Sequence, residues 1–437
     1  MGPYDPRVVG AAEILGVQLD LELLSIPVVA ALIGYGTNWV AVRMLFFPLR
    51  FWGVRLDAVR WLAQFLPRRV QAVPGLIEGG IGWQGIIPAR AAKMGSIAVD
   101  KGIAKLGSPR EFYDCLDPQA MADHIIAEAR GEIRELVERI VEREHPGLWR
   151  DVPPGLRERV FERVEAELPA IAAEITRDVG EHIDQLLDVK LMVIRRIEEN
   201  PALANRIFLE VGSKELRFIV NSGLYFGFIL GILTIPLYLA IDSWLVLPLA
   251  GVLVGYLTNW IALRLIFRPM YPRRVGPFTI QGLFMRRQPE VADVYAKVIA
   301  DDVVTMANVS DELLTGPRSD RTRALVRDRL RPAVDRALGA ARLPVRVAFG
   351  TREYESVRES LATEAINVTM APLRDRSFGR RQSAAIRALL ARRMRELPEP
   401  DFAELLRAAV EEDEWMLILL GGVLGFVAGC LQIAFVL

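Results

Sequence analysis

Two Thr-Asn pairs, Thr37-Asn38 and Thr258-Asn259, lie inside apolar runs 221 positions apart and are the side chains best placed to do chemistry. An Asn amide at membrane depth must find partners, because hydrocarbon supplies none. Two arrangements satisfy it. The amides can hold helices together, by meeting near a pseudo-twofold axis or by capping neighbouring backbone, in bonds worth about 0.6–2 kcal/mol each. Alternatively they can line a polar site for an ion or a lipid head group. Arg43 and Arg264 follow the pairs. If both snorkel to the interface, the amides sit about 7–8 Å deeper. Arg90 and Arg287, 197 positions apart, open the polar stretches that come next. All four arginines are candidates for lipid phosphate at the membrane surface.

No catalytic constellation accompanies them. His124, His145 and His182 sit on charged helical stretches without ligand spacing, and solvated side chains are expected. The sequence has no phosphate-binding loop, nucleophile elbow or zinc pattern, so no catalytic residue, metal site or cofactor is expected, and an enzyme is the least favoured class. The apolar runs contain no acidic residue, which argues against a proton or cation relay. Cys115 and Cys430 are not expected to form a disulfide.

The elements that position these residues are four runs without charge: Leu23 to Val42, Phe218 to Ile241, Ser243 to Leu263 and Trp415 to Leu437. At about 1.5 Å per residue each can cross a hydrocarbon core of about 30 Å. Arginines crowd the far end of the first run and of the third. The positive-inside rule therefore puts both termini and the hairpin at Asp242 outside, and both long polar stretches in the cytoplasm. No cleavable signal peptide is expected. The reading is an all-α inner-membrane protein of two parallel tandem repeats, four transmembrane helices and two helical cytoplasmic excursions. The parts are a short tail (1–22), membrane helices (23–47, 218–241, 243–267, 415–437) and excursions (48–217, 268–414).

Duplication supports this division. Gly34-Tyr-Gly-Thr-Asn-Trp-Val-Ala-Val-Arg43 returns as Gly255-Tyr-Leu-Thr-Asn-Trp-Ile-Ala-Leu-Arg264, and Gly223, Gly227 and Gly231 return 198 positions later as Gly421, Gly425 and Gly429. With Ala30 and Gly251 they give every run small-xxx-small spacing, which lets helix backbones approach closely and predicts a compact four-helix bundle.

The excursions carry helical periodicity, as in Val164, Leu168, Ile171, Ile175 and Val179, and almost no strand signal. Two stretches, one around Ile125 to Ile140 and one from about 155 to 186, are expected to form a hairpin. Phe51 to Trp83 mixes aromatics with arginines and suits a helix at head-group level. Residues 111–210 carry a net charge of −10 and residues 318–395 a net charge of +11. Opposite charges of this size predict that the excursions dock on each other. The competing expectation lays the Arg-rich half on anionic lipid. Nucleic acid is not expected as a partner.

The Gly-x-x-Thr-Asn-Trp-x-Ala-x-Arg segment with its Leu/Ile-Phe-x-Pro ending resembles that of the YheB/YjiN-like bacterial membrane proteins, domain of unknown function 445. Gly85-Ile-Ile-Pro-Ala-Arg90, Lys214-Glu-Leu-Arg217 and Glu412-Asp-Glu-Trp-Met-Leu417 share the resemblance, although Met285 stands where Pro88 does in the first copy. The resemblance implies the architecture and no activity. A non-enzymatic membrane anchor or scaffold is expected, its helical module binding a protein partner or organising the envelope. The alternative is a transporter or lipid-handling protein. The bilayer, with anionic head groups, is the expected partner, and oligomerisation is left open.

Overall fold

The computed structural model describes residues 12–14, 17–19, 21–55, 65, 80–144, 152–241, 243, 245–339, 342, 346–347, 350–408 and 410–436. Among them are nine helices of twenty residues or more, numbered here in chain order: α1 (Leu21–Phe46), α2 (Pro118–Glu144), α3 (Pro154–Glu181), α4 (Ser213–Ala240), α5 (Val246–Phe267), α6 (Ser319–Leu338), α7 (Thr351–Met370), α8 (Arg376–Glu396) and α9 (Glu414–Val436). The chain divides into two compact units. One contains residues 1–102, 197–291 and 397–437, the other residues 103–196 and 292–396.

The first unit holds four helices long and apolar enough to cross a membrane, α1, α4, α5 and α9. They pack as two close pairs, α1 with α4 and α5 with α9. Small residues make the close approach possible: a Cβ on Gly34 or Gly223 would overlap the other's carbonyl oxygen, and Gly255 and Gly421 face each other in the same way. The outward faces carry exposed apolar side chains at helical spacing. Val28, Leu32, Tyr35 and Trp39 on α1 correspond to Leu249, Leu253, Tyr256 and Trp260 on α5. A continuous apolar face of this kind suits lipid and not water.

Strands appear where the sequence reading expected none. Trp52–Arg55 pairs antiparallel with Gly80–Trp83, and Arg273–Val275 with Phe278–Ile280. A third pair joins Ala12–Ile14 to Val17–Leu19. The expected head-group helix over Phe51–Trp83 is thus corrected at both ends to a β-ribbon; residues 56–64 and 66–79 between them lie outside the described residues. Glycines explain the ribbon. Gly53 and Gly82 face each other across it so closely that neither could carry a Cβ. After each ribbon the chain turns back under a membrane helix. Gly85 donates its N–H to the Pro48 carbonyl and Gly282 donates to Pro269, each at 2.9 Å. Gly85 and Gly282 share nearly the same dihedrals, −53°, 139° and −53°, 140°, so Met285 in place of Pro88 leaves the turn unchanged.

In the second unit α2 and α3 form the expected hairpin, and Pro169 lies within an unbroken α3. The hairpin packs against α6 and α7, with α2 on α7 and α3 on α6, so segments 103–196 and 292–396 share one helical core. Ile140, Phe161, Ile175, Val326, Ala362 and Ile366 are buried in it. Ion pairs rim that core. Arg336 reaches Glu167 at 3.0 Å, Arg329 pairs with the buried Asp178, and Arg318 reaches Asp188 at 3.2 Å. The pairing is not one-directional, since Arg143 of the acidic half binds Glu364 of the basic half at 2.6 Å. Exposed pairs are worth about 0–1 kcal/mol each. Apolar burial therefore holds the halves together, with the ion pairs around its edge.

Candidate functional site

Helix α1 presents Asn38 to α4. The side chain is 0 % exposed, and its Nδ2 donates to the Ile219 carbonyl at 2.8 Å. Gly223 makes the room, since a Cβ there would lie 2.8 Å from the same Nδ2. One residue earlier, the Thr37 hydroxyl donates to the Gly34 carbonyl of its own helix at 3.2 Å. The second pair repeats the arrangement. Asn259, also 0 % exposed, donates to the Leu417 carbonyl of α9 at 3.0 Å, and Thr258 donates to Gly255 at 3.3 Å. Gly421 lies beneath the Asn259 amide. The polar groups are offset by 221 and their partners by 198.

The two asparagines therefore serve separate helix pairs. Of the arrangements open to the sequence, capping of neighbouring backbone is the one adopted, and a meeting of Asn38 with Asn259 is not. One atom of each amide remains unmatched: Oδ1 of Asn38 and Oδ1 of Asn259 are buried with no donor among the described residues. A void of about 30 Å³ lies among the four helices, bordered by Thr37, Thr234, Gly34, Gly255 and Gly425, with neither asparagine in its lining. Its volume is about one water's share of the liquid.

The four arginines divide into two kinds. Arg43 stacks over the rings of Phe47 and Trp39 at 5.4 and 5.8 Å, and Arg264 over Trp260 at 5.0 Å. Both are exposed, so each presents a guanidinium beside an aromatic ring, a combination suited to the head-group layer. Arg90 and Arg287 are taken by carboxylates, which corrects their assignment to lipid phosphate. Arg90 pairs with Asp413, at the start of α9, and approaches Glu412 at 3.9 Å. Arg287 pairs with Glu215, in the first turn of α4, and with Glu290 at 2.9 Å. The pairing is reciprocal: the first half's arginine meets the second half's acid, and the second half's arginine the first half's. Burial lowers the proton affinity of Arg90, with Glu412 opposing, whereas the Glu290 hydrogen bond chiefly raises that of Arg287. Both stay cationic at any physiological pH. Arg287 and then Lys214 hydrogen-bond Glu290 and hold its carboxyl down to about 2.

Glu215 and Asp413 escaped the sequence reading as functional residues. Their signal was available: they stand 198 apart, as the glycines do, just before an apolar run. His124 is corrected from solvated to packed. Its ring stacks on Phe378 with centroids 4.3 Å apart, and Nε2 lies 3.0 Å from the Pro372 carbonyl. His182 Nδ1 lies 2.9 Å from the Asp178 carbonyl, and His145 falls outside the described residues. Among the described residues no cluster of His, Cys, Asp and Glu could hold a metal ion.

No family model matches the chain. Two proteins called UPF0754 membrane protein are similar to part of it. One, from Synechococcus sp. (strain JA-2-3B'a(2-13)), is 39 % identical over 100 residues, 21 % of this chain and 24 % of its own length. The other, from Synechococcus sp. (strain JA-3-3Ab), is 37 % identical over 105 residues, 22 % of this chain and 25 % of its own. The chain thus spans about a quarter of the length of the curated relatives it matches. Their name gives a membrane location and no activity, in keeping with the four apolar helices.

Proposed function

We propose that this chain is a non-enzymatic inner-membrane anchor whose polar helical unit lies in the cytoplasm and binds a protein partner. One observation carries the reading: the Asn amides inside the apolar segments are spent on the carbonyls of Ile219 and Leu417, so polarity at membrane depth serves helix pairing. The glycine seams and the small void agree with it, because close-packed backbones and about 30 Å³ of space favour packing over passage of a solute. The chain is read as two parallel tandem repeats, from the matched amides, turns and reciprocal ion pairs, and as a relative of the YheB/YjiN-like proteins, from the motifs that carry that resemblance. Both termini face outward, and Arg43 and Arg264 bind anionic head groups. A copy-to-copy interface remains compatible with the exposed apolar faces.

The alternative, transport of a solute or lipid, has one observation on its side, the two buried Oδ1 atoms without donors. In-cell photocrosslinking from exposed positions of α6 and α8 decides between the two. Discrete protein adducts are expected. Absence of adducts, together with solute flux in proteoliposomes that Asn38→Leu abolishes without loss of stability, would replace the anchor with the transporter. Cysteine labelling tests the orientation: a probe near residue 3 should react from outside in intact cells, and one at residue 150 should not.

A further inference from the structure

We propose that the core shared by α2, α3, α6 and α7 is a binding site for a single long acyl chain. Helical cores normally close to voids no larger than a water molecule. This one leaves about 210 Å³ unfilled, more than the roughly 150 Å³ apolar cavity that takes up benzene when engineered into a protein. The space is long. Its lining runs from Ile125 to Val141 on α2 and from Leu156 to Ala172 on α3, seventeen residues of helix on each, or about 25 Å. Its walls come from four helices, and a volume of about 210 Å³ spread over that length is too small for a second helix, about 10 Å across.

Chemistry narrows the ligand further. Along the length the walls are aliphatic, with Ile133, Val164, Leu168, Val334 and Leu361 among them. Such walls offer a ligand dispersion contacts and nothing to hydrogen-bond. The ionisable groups gather near one end, on the first turns of α7: Glu353, Tyr354 and Arg358, while Thr369 at the far end of α7 donates its hydroxyl to the Ala365 carbonyl of its own helix. Tyr354 donates its hydroxyl to Asp335 at 2.5 Å, and Asp335 also draws Arg342 at 3.3 Å and Arg358 at 3.7 Å. That leaves the Nε–H of Arg358 buried with no acceptor among the described residues. A buried donor without an acceptor is costly, and because Asp335 and Glu355 already match the Arg358 charge, the neutral carbonyl oxygen of an ester or protonated acid at the end of an acyl chain would satisfy it. A long apolar space with one unmatched donor at one end fits an amphiphile that is apolar along its length and polar at one tip. It fits neither a compact ring system nor a polar metabolite.

Two sources supply such a chain, a free fatty acid and a phospholipid, and the test separates them. The full-length protein is reconstituted into phosphatidylethanolamine–phosphatidylglycerol vesicles carrying a diazirine-bearing fatty acid in one arm and a diazirine-bearing phosphatidylglycerol in the other. After irradiation the adducts are mapped by peptide mass spectrometry. Adducts are expected on Ile133, Val164 and Val357, besides those that either probe leaves on the lipid-facing Leu32 and Leu253. The arm that labels the core names the source. Ala129→Phe and Ala333→Phe fill the space and should cut core labelling roughly ten-fold, the loss of about two buried methylene contacts, with labelling of Leu32 and Leu253 unchanged. Arg358→Gln, which leaves the apolar walls intact, should weaken the fatty-acid arm more than it changes thermal unfolding. It keeps the test usable if the Phe variants do not fold. Adducts confined to the membrane helices in both arms, with the wild-type protein folded, would overturn the proposal. Core labelling that persists undiminished in folded Phe variants would do the same. Neither result bears on the anchor reading, which rests on a different unit.

Discussion

Gly223→Ala is the sharpest probe of how the membrane helices are held. The added methyl would lie 2.5 Å from the Gly34 carbonyl carbon and 2.8 Å from Asn38 Nδ2, whereas ordinary contact begins at 3.4 Å. The Gly34 carbonyl oxygen is nearer still, so the helices must part by at least about 0.9 Å at this level. The Asn38 bond to Ile219 then stretches from 2.8 Å to about 3.7 Å or more, too long to count as a hydrogen bond. Overpacking costs about 1–3 kcal/mol, and the lost bond about 0.6–1.7 kcal/mol. Alanine returns about 1 kcal/mol in helix propensity, a gain shared by any exposed glycine of the same pair. Gly36→Ala supplies that control, because nothing lies within 4 Å of its would-be Cβ. The propensity term cancels between the two variants, and Gly223→Ala should be less stable than Gly36→Ala by about 2–4 kcal/mol. Steric trapping or SDS titration of the full-length protein in mixed micelles measures the difference. Asn38→Ala combined with Gly223→Ala should cost less than the two singly, because both remove the same bond. Equal stability of Gly223→Ala and Gly36→Ala, within about 0.5 kcal/mol, would refute the close seam and the amide cap together.

Three further outcomes follow from the same geometry. Asn38→Leu and Asn259→Leu should each cost about 1 kcal/mol or less. Their effects should add, because the two amides serve different carbonyls; strong coupling in the same unfolding assay would mean that the asparagines interact after all. Arg90→Ala and Arg287→Ala strand the buried carboxylates of Asp413 and Glu215 and should each cost about 3 kcal/mol. Adding Asp413→Asn to the first should recover much of that, as thermal unfolding in detergent would show. Glu290 has its folded pKa at about 2, below the unfolded value of about 4.3. Its pairing therefore stabilises fully above that value and is lost as pH falls toward 2. Glu290→Gln should unfold more readily than wild type at neutral pH, and the gap should close across that interval.

How much of this could be read in advance varies with the range of the interaction involved. The four long apolar helices were legible to within about five residues at each end, since uncharged runs of this length have few other fates in water or lipid. The glycines were legible as a seam, because small-xxx-small spacing constrains one helix face whatever lies opposite. The hairpin of α2 and α3 followed from local periodicity. The ribbons did not. Gly53 and Gly82 make room for each other across a gap of 29 positions, and aromatic-plus-arginine composition between them suggested a surface helix. The packing of His124 was hidden for a related reason: Asp123 and Glu128 stand beside it on α2, but the surface it stacks on belongs to Phe378.

By itself the sequence determined what is local or periodic: four spans, two copies of the Thr-Asn-Trp motif, helical polar stretches and the charge contrast between them. Tertiary structure alone decided the pairings. It sent Asn38 to Ile219 and Asn259 to Leu417, gave Arg90 to Asp413 and Arg287 to Glu215, and left a long void where four apolar faces meet. A side chain's type sets what bonds it needs, but which distant atom supplies them depends on how helices cross. That crossing is set by the sum of many small contacts, in which no single residue carries a readable share.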